Sequence, residues 1–136
     1  MPELRTYNLF ISHAWDYRDE YHRLVNLLDA APNFRWKDYS VPEHDPLGAR
    51  STRGLRAGLQ RQLQLVHAVL AISGVYASHS DWMREELGLA DGFGKPIIAI
   101  APRGNQRLSG VAQDAAVEIV KWNTDSIVDA IRRRAL

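Results

Sequence analysis

The chain has 136 residues, 46 % of them hydrophobic and 24 % charged, with a formal net charge of +1 and no cysteine. That length suits a single domain spanning 1–136, large enough to bury a core without a disulfide or metal to hold it. The small net charge gives no global attraction to nucleic acid or to an anionic membrane. The missing cysteine excludes disulfides, thiolate nucleophiles and cysteine-based metal sites. No charged-then-apolar leader pattern opens the chain and no apolar run is long enough to span a bilayer, so a cytoplasmic location is expected.

In chain order, Tyr7 to Ile11 reads as a buried central strand. Asp16 can cap a helix carrying Tyr17, Tyr21, Leu24, Val25 and Leu28, which Pro32 and Asn33 end. Phe34 to Tyr39 alternates like an edge strand, and the loop that follows is bounded by Pro42, Pro46 and Gly48. Ser51 or Thr52 can cap a second helix bearing Leu55, Leu59, Leu63 and Val66. Ala68 to Ile72 is the next buried strand. Ser78 or Ser80 starts a third helix, which stops at Gly94 ahead of Pro96. Ile97 to Ala101 and Val117 to Val120 are strands four and five. Asn123 or Thr124 caps a last helix with Ile127, Val128 and Ile131 inward, and its closing run Arg132–Arg134 suits the negative end of the helix dipole.

Five strands alternating with five helical segments indicate an α/β, flavodoxin-like three-layer sandwich. Its sheet is parallel and five-stranded, with the order 2-1-3-4-5. Ligands of this layout bind at the carboxyl ends of the strands, here the turns after Ile11, Tyr39 and Ile72.

The third helix carries the strongest chemical signal. Trp82, Met83, Leu87, Leu89, Ala90 and Phe93 share one face, with Glu86 near its middle and Glu85 at its margin. A carboxylate there is costly unless partnered or opened to a cleft. The pattern alone leaves two readings open: a functional acid, or a salt bridge to an Arg or Lys at the edge of the core. Ser12-His13-Ala14-Trp15-Asp16 forms the turn after the first strand, suited either to an anionic ligand or to plain helix entry. Trp36 to Tyr39 with the following loop offers aromatics for a planar ligand, though such loops are more commonly solvated turns. No histidine pair near His44 has metal-ligand spacing. Dinucleotide-binding, P-loop and nucleophile-elbow motifs are absent, and Ser73-Gly74 stands where a receiver domain needs its aspartate.

Phe10-Ile11-Ser12-His13, the alternating element order, the loop after the second strand and the segment Ser80 to Leu87 together resemble a TIR domain. The chain is most similar to the bacterial TIR-like group that holds the ThsB proteins of Thoeris antiphage defence. The most specific piece is a tryptophan followed four residues later by glutamate, a spacing that selects Glu86 over Glu85. The resemblance implies NAD as substrate, with no resident cofactor or metal. Cleavage of its nicotinamide–ribose bond would yield a cyclic or otherwise modified ADP-ribose signal, read by a downstream effector after self-association or a phage trigger. It further implies Glu86 as the catalytic acid residue and Trp82 as a pocket wall. Phe10, Ser12 and His13 would line the floor, and Tyr39, Ser40 and Asp45 would lie in the adjoining loop. A non-catalytic module that signals by assembly is the rival reading, and a receiver-like sensor a weaker one. The carboxylate in an apolar face favours the enzyme, since an adaptor has no need of it.

Overall fold

The computed structural model describes residues 5–13, 18–39, 52–72, 80–101 and 115–136, without the side chains of 13, 18–20, 52–57, 59 and 80–85. The elements are β1 (Thr6–His13), α1 (Arg18–Ala30), β2 (Arg35–Asp38), α2 (Thr52–Leu65), β3 (Ala68–Ile72), α3 (Ser80–Gly92), β4 (Ile97–Ile100), β5 (Glu118–Val120) and α4 (Thr124–Arg134). The strands form one sheet in the order β2-β1-β3-β4-β5, every adjacent pair parallel. This is the expected order. A fifth helical segment, expected between β4 and β5, lies outside the described residues except for the helical Ala115, and the Asp16 cap lies outside them altogether.

Strand alternation sends side chains to two separate cores. Leu9 and Ile11 of β1, Leu70 and Ile72 of β3, and Ile98 and Ile100 of β4 meet α1 and α4 on one side. Phe10, Val69, Ala71, Ile97 and Ala99 meet α2 and α3 on the other, with Leu63, Leu87 and Ala90. All the residues of β3 and β4 are buried, as a strand covered on both faces requires.

Two boundaries move from their sequence positions. β1 does not end at Ile11: Ser12 pairs with Ala71 and His13 with Ile72, so both belong to the ladder and not to the turn. Their polarity breaks the hydropathy run, but the ladder is made by backbone groups and continues as far as β3 supplies partners. Val66 lies beyond the end of α2 and is nonetheless buried.

The ends of α3 and α4 show why the chain turns where it does. After α3 the Lys95 N–H donates to the Ala90 carbonyl at 3.0 Å and the Gly94 N–H to Asp91 at 2.9 Å. This is a Schellman closure, which needs the left-handed φ of +69° that Gly94 adopts. Asn123, not Thr124, caps α4, its side chain accepting from the Ser126 N–H at 2.8 Å. The terminal arginines do more than face a dipole. Arg133 grips Glu118 of β5 through two nitrogens at 2.9 and 2.6 Å, Arg134 adds a third contact at 2.9 Å, and Arg132 donates to the Asn33 carbonyl.

Candidate functional site

Ser12 and Glu86 are the buried polar side chains among the described residues, at 0 % and 3 % exposure. The Ser12 hydroxyl donates to Glu86 Oε1 at 2.8 Å, joining the last turn of ladder in β1 to α3. Register explains the room for this pair. On the α3 side of the sheet, Phe10, Val69 and Ile97 lie side by side on β1, β3 and β4, and fill the space with bulky apolar groups. One alternation nearer the carboxyl ends, the same three strands present Ser12, Ala71 and Ala99. Small side chains make the sheet recede there, and the carboxylate of Glu86 enters at that level with Leu87 and Ala90 of its own helix packed into the core beside it.

The other expected site residues are distributed unevenly. Phe10 is fully buried on the same side of the sheet as Glu86. Tyr39 packs against that core too, its N–H donating to the Leu9 carbonyl at 2.8 Å and its carbonyl accepting from Gln62 Nε2 at 3.4 Å. Trp36, in contrast, lies on the opposite side: it packs with the α1 core and its indole N–H donates to Asp29 at 2.8 Å. It is therefore not one of the aromatics near Glu86. His13 closes β1 and Trp82 stands one turn before Glu86 in α3, with their side chains outside the described residues; Ser40 and Asp45 lie outside them altogether. Sequence reasoning missed that Ser12 is a partner of Glu86. The signal was the shared parity of Phe10 and Ser12, which has meaning only once the register with Ala71 is known.

Chemically, the arrangement is one carboxylate held on rigid elements and almost fully removed from water. In such surroundings its attraction for a nearby positive charge is far stronger than in solvent. Among the described residues no cluster of three or more His, Asp and Glu side chains is placed to hold a metal, and no helix is long and apolar enough to cross a membrane.

The family profile described as "Thoeris protein ThsB, TIR-like domain" matches residues 10–107, a span that contains both Ser12 and Glu86. The chain belongs to this ThsB TIR-like family of Thoeris defence. No curated protein sequence matches it. Among solved structures, its fold is similar to that of the Clostridium botulinum CMP N-glycosidase BcmB. The TM-score is 0.55 and the identity 15 %, over 93 % of this chain and 98 % of that one. A 3-dehydroquinate dehydratase-like protein from Bifidobacterium longum is more distant, at a TM-score of 0.47 and 6 % identity over 95 % and 94 % of the two chains. The first of these likenesses places the ThsB TIR-like chain among flavodoxin-like α/β folds, in keeping with its own sheet order.

Proposed function

We propose that the chain cleaves the nicotinamide–ribose bond of NAD and forms a cyclic or otherwise modified ADP-ribose, which signals to a separate effector in antiphage defence. The observation that carries this reading is the Glu86 carboxylate, 3 % exposed, held by Ser12 near the carboxyl end of β1 in a ThsB TIR-like chain. The N-glycosidase activity named for BcmB is in keeping with it, because both reactions break a bond between a ribose carbon and a ring nitrogen.

In the proposed step the C–N bond breaks and its electron pair leaves with nicotinamide, which departs as a neutral pyridine and needs no proton. The ribose becomes oxocarbenium-like, as in glycoside cleavage. Glu86 orients the ribose hydroxyls and stabilises the developing positive charge. An acceptor nucleophile then closes the ribose: water would give ADP-ribose and a proton, a nitrogen of the folded-back adenine a cyclic product. The second route requires that water be excluded while the adenine folds back onto the ribose. Substrate reaches the carboxylate by displacing what covers it, so turnover in the assembled or phage-triggered state should exceed that of the resting chain.

The test follows nicotinamide release and product mass with NAD, using the protein alone and in extract from phage-infected cells. Wild type is expected to release nicotinamide in at least one state, and Glu86→Gln, which keeps the shape but not the charge, to release none. Equal turnover by the two proteins would remove Glu86 from the chemistry. Lack of turnover in every state would favour signalling by assembly.

A further inference from the structure

We infer that Ser12 is the positioning residue of the site: it acts on the reaction through Glu86, by fixing Oε1, and not by touching the substrate. This rests on the proposed role of Glu86. A serine hydroxyl has a single proton to donate, and that of Ser12 is given to Glu86 Oε1 at 2.8 Å. The serine is fully buried, so the hydroxyl faces neither solvent nor an open cleft. The next position in its row is Ala71 on β3, with Ala99 of β4 beyond it, and neither side chain carries a polar group to compete for the bond.

The two ends of this tie sit on different elements. Ser12 is carried by the part of β1 that extends past β2, whose register with β1 ends at Leu9 and Asp38, and is held there by pairing with β3. Glu86 projects from α3, and a long side chain of this kind has several staggered rotamers, which a bond to one carboxylate oxygen narrows. Anchoring one carboxylate oxygen to the sheet restricts the rotamer and with it the direction of the other oxygen. A donor to the carboxylate also favours its charged form, the form that stabilises a positive ribose.

Three measurements on Ser12→Ala, with Ser12→Thr as the variant that keeps the donor, test this. Ser12→Ala removes one buried oxygen among alanines and is expected to fold, as checked by its melting curve. Its kcat for NAD should fall about 10- to 100-fold with little change in KM, the scale of misplacing a catalytic group. The acid limb of its pH–rate profile should move to higher pH. The titration midpoint of the Glu86 side-chain carboxyl carbon, read by NMR in the full chain without NAD, should move the same way. Ser12→Thr should resemble wild type in all three.

A raised KM with unchanged kcat would overturn the inference, because Ser12 would then be touching the substrate. Identical behaviour of the Ala and Thr variants would overturn it as well, because space and not the donor would matter. The titration separates this inference from the proposed function. If wild type cleaves no NAD, the enzymatic reading fails, while an unmoved Glu86 midpoint in Ser12→Ala would independently show that the serine does not govern the carboxylate.

Discussion

An ionised carboxylate taken out of water loses several kcal/mol of solvation even when it is partnered. A hydrogen bond to a charged group offsets only about 1.5–3 kcal/mol of that. Glu86, at 3 % exposure, carries that cost at a position beside Leu87 and Ala90, which belong to the apolar core under α3. Glu86→Gln keeps the length and an acceptor oxygen for Ser12 while removing the charge. Its unfolding free energy is expected to stay within about 1 kcal/mol of wild type or to rise. Thermal or urea melts of both proteins at neutral pH check this, and a loss of several kcal/mol would make the carboxylate a structural element of the core. At this scale the anomaly itself was legible, because a helical projection needs only one element. Its bond to Ser12 was not: the serine stands 74 positions away, and only the fold brings it to Glu86.

At the scale of elements, α3 combines a strong stop with weak interior residues. Gly88 is exposed within the helix and an added Cβ there meets nothing within 4 Å, so its only effect on stability is conformational freedom. Gly88→Ala should stabilise the chain by about 0.5–1 kcal/mol, a rise of roughly 2–5 °C in melting temperature. Gly94 also has open space around it, but its φ of +69° is a conformation that a side chain disfavours. Gly94→Ala is expected to cost about 1 kcal/mol and lower the melting temperature to a similar extent. Opposite shifts for these two alanines, measured by calorimetry, would show that the closure at Gly94 and not glycine content as such ends α3. Shifts of the same sign would refute it. The stop was readable from Gly94 followed by Pro96, as was the edge position of β2. The face to which Trp36 turns was not, because alternation in an exposed edge strand gives two faces without saying which meets which helix. Its bond to Asp29 and its pairing opposite Tyr7 settle that only in three dimensions.

For the whole molecule, strand order followed from alternation because short buried strands joined by helices permit few parallel arrangements. Ties between distant segments were not visible in the same way, and two of them titrate. At the entry to β1 and β3 the Asn8 N–H donates to His67 Nδ1 at 2.9 Å, the His67 N–H donates to the Asn8 carbonyl at 2.7 Å, and the Leu136 N–H donates to the His67 carbonyl at 3.0 Å. Accepting at Nδ1 requires a neutral ring with its proton on Nε2. Burial first, then the positive charges of Arg5 and Lys95, hold the His67 pKa below its ordinary 6.5. The unfolded chain therefore binds more protons than the folded one just below pH 6.5, and stability must fall as pH drops through that value.

Glu118 is the second tie, between β5 and α4. Hydrogen bonds from Arg133 and Arg134 lower its pKa from 4.5 to about 2, so the stability it contributes is present above pH 4.5 and lost between there and about pH 2. Urea unfolding from pH 8 to pH 3 should thus show two declines, the first at the centre of the sheet and the second at its β5 edge. His67→Asn places an acceptor oxygen near the position of Nδ1 without a titrating ring, and should remove the decline between pH 7 and 5 while leaving the lower one. Glu118→Gln should do the reverse and be less stable than wild type at neutral pH, because the two arginines lose their anion. A His67→Asn profile parallel to wild type from pH 7 to 5 would mean that the Asn8–His67 bond does not set the upper limb, and the acid sensitivity of the sheet would have to arise elsewhere.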